Sequence, residues 1–163
     1  MSPPRKPKPK QISRPAAPQR KEVPALPKRL LGITGTPSVA RPSWKLSLLD
    51  LEHAGSWSWG VTDVTLQGII EFLTQMERLT WTEIQAQMTN NKKGGHRKHH
   101  AIPLDRLCPE AQRRLQDLRL DDLDDLFRFR LGNKPRLWGV IHEGVFYPVW
   151  WDPEHKVYPT DPG

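Results

Sequence analysis

LFRFRLGNKPRLWGVIHEGVFYPVWW, residues 126–151, is the stretch that decides how this chain folds. Residues 126–131 are a first run, in which apolar and basic residues alternate from Phe127 on, Gly132-Asn133-Lys134 supplies a turn, 135–141 is a second apolar run, His142-Glu143-Gly144 turns again, and 145–151 is a third run. Short runs separated by turn residues predict an antiparallel meander. Side chains two apart on a strand share a face, so Phe127 and Phe129 are expected toward the core and Arg128 and Arg130 toward solvent. Pro148 has no N–H to donate, which makes the third strand either an edge or bulged at that point.

Upstream of the meander the periodicity is helical. Ile69, Ile70, Leu73, Met76 and Leu79 recur at helical spacing and predict a helix from about Leu66 to Leu79, with Thr65 as its cap. Thr80 and Glu83 have capping-box spacing and open a second helix through about Met88. Pro109 suits a first helical position, so a third helix is expected to about Leu118, followed by the acidic connection Asp121 to Asp125. "SWKLSLLDL", 43–51, reads as a first strand, and 89–100 as a polar basic loop. The expected architecture is α+β: two or three helices against one face of a small antiparallel sheet made of one strand and a three- to four-stranded meander.

Composition divides the chain near residue 42. Ten of the 17 prolines lie at or before Pro42, and all seven tryptophans lie at or after Trp44. Residues 1–45 hold 11 Lys and Arg against Glu22, a balance of +10, whereas the remainder has 14 basic and 17 acidic residues, or −3. The formal +7 therefore belongs to the N-terminal segment. Residues 1–41 read as a disordered Pro-rich basic arm that attracts polyanions, 43–159 as the globular domain and 160–163 as a tail. "PAAPQR" (15–20) and "PALPKR" (24–29) have the form that SH3 grooves accept, a form that this composition also generates readily. No stretch reaches the ~18 apolar residues of a membrane span. The basic N-terminus lacks the apolar run of a secretion signal, and the lone cysteine, Cys108, suits a cytoplasmic location.

No phosphate-binding Gly-rich loop, G-x-S-x-G elbow, H-E-x-x-H or paired C-x-x-C occurs. "HRKHH" (96–100) with Cys108 offers metal-ligand types, but Lys92, Lys93, Arg97 and Lys98 oppose a divalent ion, so neither a metal nor another cofactor is expected. Those four cations fit a phosphate-contacting loop, with Arg128 a further candidate nucleic-acid contact on the sheet. Arg128, Arg130, Arg136, His155 and Tyr158 together could hold a phosphodiester and protonate a leaving oxygen. The bland readings are that the arginines solvate an exposed face and that "WWDPEHKVYP" (150–159) plugs the core, its Asp152-Pro153 opening a turn before a last strand at Val157 and Tyr158.

The order of elements, the Arg-bearing hairpin and the ending "EHKVYP" resemble the RelE/ParE-like toxin superfamily, over at most Ser43 to Tyr158. "FYPVWWDPEHKVYP" is also similar to the terminus of an uncharacterised family of small bacterial proteins. The RelE resemblance implies metal-independent endoribonuclease activity on RNA at the ribosome, restrained by a cognate antitoxin. It places His155 and Tyr158 on the late catalytic positions and Arg130 and Arg136 on the phosphate-stabilising ones. The other reading is a non-catalytic adaptor whose basic arm engages nucleic acid or an acidic partner.

Overall fold

The computed structural model describes residues 39–90 and 94–159. The expected arm, but for its last residues, and the tail lie outside them, as do Lys92 and Lys93. In chain order the elements are β1 (Ser43–Trp44), α1 (Asp63–Met76), α2 (Trp81–Ala86), β2 (His100–Pro103), a 3-10 turn (Leu104–Arg106), α3 (Pro109–Asp117), β3 (Asp125–Arg130), β4 (Arg136–His142) and β5 (Val145–Asp152). The fold is α+β. Its sheet has five strands in the order β1-β5-β4-β3-β2, antiparallel throughout except that β1 runs parallel to β5. The sheet is thus larger than expected and mixed. Among the described residues no helix is long and apolar enough to cross a membrane.

Local sequence sets the helix ends. Thr62, not Thr65, caps α1, its hydroxyl accepting from the Thr65 N–H at 3.2 Å, so the helix begins a turn before its apolar periodicity does. The Thr80–Glu83 capping box is present in both directions at the start of α2. Pro109 opens α3 as expected, where its missing N–H forfeits no helical bond.

The sheet is covered on both faces, which corrects the expectation of helices on one. Ile69, Met76, Trp81 and Ile84 of α1 and α2 pack with Phe127, Phe129, Leu137, Ile141, Phe146 and Trp151. On the other face Ala111 and Leu115 of α3, with Trp57, pack with Leu126, Trp138, Val140, Val149 and Trp150. The alternation of β3 holds for the phenylalanines: Phe129 is fully buried and meets Phe72, Phe127 and Phe146 edge-on. Burying such a side chain is worth about 1.5–3 kcal/mol, and each favourable ring pair adds ~0.5–1.5 kcal/mol.

A bulge lies where Pro148 predicts an edge or a bulge. Trp138 pairs with Trp150 and Gly139 with Pro148, leaving Val149 as the extra residue. Its carbonyl accepts instead from the Asp50 N–H and from the Trp59 indole. Beyond the bulge, Trp150 and Trp151 are neighbours on the strand and enter opposite cores. Gly139 is required here, because a Cβ would run into the Tyr147 carbonyl and the Phe146 ring.

Two segments depart from the expected strands. The first strand is two residues long because the chain turns at Leu46–Leu49 and carries the Asp50 carboxylate inward. Val157 joins no sheet: its N–H donates to Asp152 and its carbonyl accepts from the Cys108 N–H, which ties the C-terminal turn to the start of α3.

Candidate functional site

Directly opposed residues in an antiparallel pair project to the same face. Arg130 faces Arg136, which faces Asp152, and in the neighbouring row His100 faces Arg128, which faces Trp138. Three guanidiniums therefore converge at one end of the α3 face, beside the β3–β4 hairpin. The turn after β5 brings His155 onto them, with Tyr158 beside it at 6.4 Å between ring centroids. Asp152 shapes that turn by accepting from the N–H groups of Lys156 (2.8 Å) and Val157 (2.9 Å). His155 sits there at φ 59°, a left-handed conformation that costs a non-glycine residue roughly 1–2 kcal/mol.

Each arginine is engaged differently. Arg128, at 6% exposure, donates from Nε to His100 Nε2 (3.1 Å) and from Nη1 to His155 Nε2 (2.8 Å). Arg136, at 4% exposure, is wrapped by the hairpin, its Nη1 and Nη2 donating to the carbonyls of Gly132, Asn133, Lys134 and Pro135, while its buried Nε has no partner. Arg130 is more open, and of its guanidinium nitrogens only Nε has a partner among the described residues, the Gly132 carbonyl. No ion pair among the described residues includes any of the three. The carboxylate in their midst, Asp152, is fully buried and already accepts from Trp138 Nε1 and two backbone N–H groups. Three guanidiniums against one carboxylate leave a positive excess at this end of the sheet, with Arg128 and Arg136 buried.

His155, His100 and His99 are held neutral at neutral pH. Burial, and then the charges of Arg136, Arg128 and Arg130, hold His155 down at about 4. Burial and Arg128 do the same to His100, also at about 4. His99, one residue earlier on the opposite face, is fully buried and held at about 3 by burial and then Lys98 and its basic neighbours. Burial and the other two arginines lower Arg136 to about 10, which leaves it charged at neutral pH.

These depressed values fix the sign of an acid effect. An unfolded histidine titrates near pH 6.5, so between that pH and the folded values the unfolded chain binds more protons and stability falls as pH falls. His99 should contribute a slope of about 1.4 kcal/mol per pH unit, and the partly exposed His100 and His155 less. Urea denaturation at a series of pH values from 7.5 to 5 should show the midpoint declining steadily. A flat profile would mean that the buried histidines are not held neutral.

The structure brings Arg128, Arg130, Arg136, His155 and Tyr158 together as the sequence suggested, but Arg128 and Arg136 are buried rather than facing solvent. Arg97 is exposed and Lys98 half-buried on the segment leading into β2, and Arg97 lies within electrostatic reach of His100. Lys92 and Lys93, as noted, lie outside the described residues. His96, His99, His100 and Cys108 do not assemble: no group of three or more metal-ligating side chains occurs among the described residues. Sequence reading missed His100, which sits in a four-residue strand with no periodicity of its own, and the part played by Asp152 in aiming His155. No protein-family model matches the chain, and comparison with curated proteins and with solved structures finds no match.

Proposed function

We propose that the arginine and histidine cluster binds the phosphodiester backbone of RNA and that the chain cleaves it without a metal, in the manner of the RelE-like endoribonucleases that its sequence resembles. The supporting observation is the convergence of three guanidiniums lacking carboxylate partners upon two neutral imidazoles. In this reading the RNA 2′-oxygen attacks phosphorus, the P–O5′ bond breaks, and a 2′,3′-cyclic phosphate and a 5′-hydroxyl result. His155 Nε2 takes the 2′-hydroxyl proton, Tyr158 supplies one to the leaving 5′-oxygen, and Arg130 and Arg136 stabilise the charge that develops on phosphorus. An arriving phosphate gives Arg128 a charged acceptor and so frees the His155 lone pair. Cys108 is a free thiol, which suits a cytoplasmic place of action on ribosome-associated RNA, under the control of an antitoxin.

One observation favours the second reading, a non-catalytic adaptor that binds nucleic acid. The His155 lone pair is already occupied by Arg128, as it would be in a site built only to bind. Incubating the purified chain with end-labelled RNA and with translating ribosomes, with and without chelator, decides between them. Cleavage that persists in chelator and leaves cyclic phosphate ends supports the nuclease. Binding without cleavage, weakening steeply with salt, supports the adaptor. With neither, both readings fall.

A further inference from the structure

We infer that His100 is a second proton-carrying group of this site, and that Arg128 is the positioning residue that holds His100 and His155 in one tautomer, with the proton on Nδ1. A guanidinium has donors and no acceptor. Arg128 reaches Nε2 of both rings, at 3.1 Å to His100 and 2.8 Å to His155, so each Nε2 must present its lone pair and each ring must carry its proton on Nδ1. The arrangement is built from both sides. The sheet register sets His100 directly opposite Arg128, and the Asp152-capped turn holds His155 in a left-handed conformation that faces the same guanidinium. His99 provides an internal contrast: its Nδ1 accepts from the Arg130 backbone N–H at 3.0 Å and its Nε2 meets Gln87 Oε1 at 3.1 Å, which requires the proton on Nε2.

Two imidazoles with matched lone pairs on one donor give the site a pair of groups able to exchange protons with a bound phosphate, where the sequence offered His155 and Tyr158. The inference deepens the reading above by adding a residue to the same site, but the tautomers do not depend on RNA being the ligand.

Long-range 1H–15N correlation spectra of the 15N-labelled full chain at neutral pH test it. His100 and His155 should show the Nδ1–H form and His99 the Nε2–H form. In Arg128→Met, His100 and His155 should move to the Nε2–H form that free imidazole favours in water, while His99 stays as it was. An Nε2–H form at His100 or His155 in the unsubstituted chain overturns the inference, and that spectrum decides even if Arg128→Met fails to fold. Unchanged tautomers in a folded Arg128→Met also overturn it. Where the chain cleaves RNA, His100→Gln should lower kcat by ~10²–10⁴-fold with little change in KM, and full activity there would remove His100 from the chemistry. A chain that shows these tautomers but neither binds nor cuts RNA overturns the functional reading and leaves the Arg128 assignment standing.

Discussion

Asp50→Ala lowers the free energy of unfolding by about 3–5 kcal/mol, the range for removing one partner of a buried ion pair. The lower figure is the nearer one, because the Arg114 side chain keeps 20% of its surface exposed. The Asp50 carboxylate accepts from Arg114 Nε (2.7 Å) and Nη2 (2.6 Å) and from the Trp150 indole (2.9 Å), joining the segment after β1 to α3 and to β5. Alanine leaves the Trp150 indole N–H without an acceptor and leaves Arg114 only the more distant carboxylates of Glu52 and Asp117, each at 3.9 Å. Asparagine should cost less, since its one carbonyl oxygen can still serve Trp150 while its amide opposes Arg114. Burial pushes the Asp50 carboxyl upward, but the bonds from Arg114 and Trp150 and the Arg114 charge outweigh it and hold it below the ordinary value. A depressed carboxylate contributes stability that is present above about pH 4 and lost only as pH falls further. The gap between wild type and Asp50→Ala should therefore persist between pH 7.5 and 5, where the histidines of the unfolded chain titrate. Urea denaturation followed by tryptophan fluorescence reads both quantities. A cost below about 1 kcal/mol would show that Asp50 is no structural tie.

His155→Gly should abolish RNA cleavage, a loss of ~10²–10⁴-fold, and leave the melting temperature close to wild type. The two effects separate because His155 occupies the left-handed region at φ 59°. Glycine relieves a backbone cost of roughly 1–2 kcal/mol, which offsets the loss of the hydrogen bond from Arg128. Tyr158, packed at the rim of the α3-side core, offers no such separation. Cleavage kinetics and thermal melts on the same preparation check the result. Undiminished cleavage by His155→Gly would remove His155 from the reaction, and a large drop in melting temperature would make it a packing residue.

What the sequence by itself determined is what local chemistry dictates. The period-two pattern of Phe127 to Leu131, the Thr80–Glu83 spacing and Pro109 each act through the backbone within a few residues, so β3, α2 and α3 were legible. That Arg128 and Arg130 share a face followed from the same periodicity, whereas the register of the hairpin set Arg136 beside them. The pattern could not say what covers that face. An arginine in an alternating strand reads as solvated until something packs over it, and for Arg128 that something includes His155 of the C-terminal turn, 27 positions away. The continuous apolar runs of β4 and β5 did carry a signal for two covered faces, since a strand exposed on one side alternates and these do not. The closure of the site was legible nowhere. His100 meets Arg128 across 28 positions, and Asp50 meets Arg114 and Trp150 across 64 and 100. Such pairs are chosen by the need of buried polar groups for partners, which only the assembled tertiary structure can satisfy.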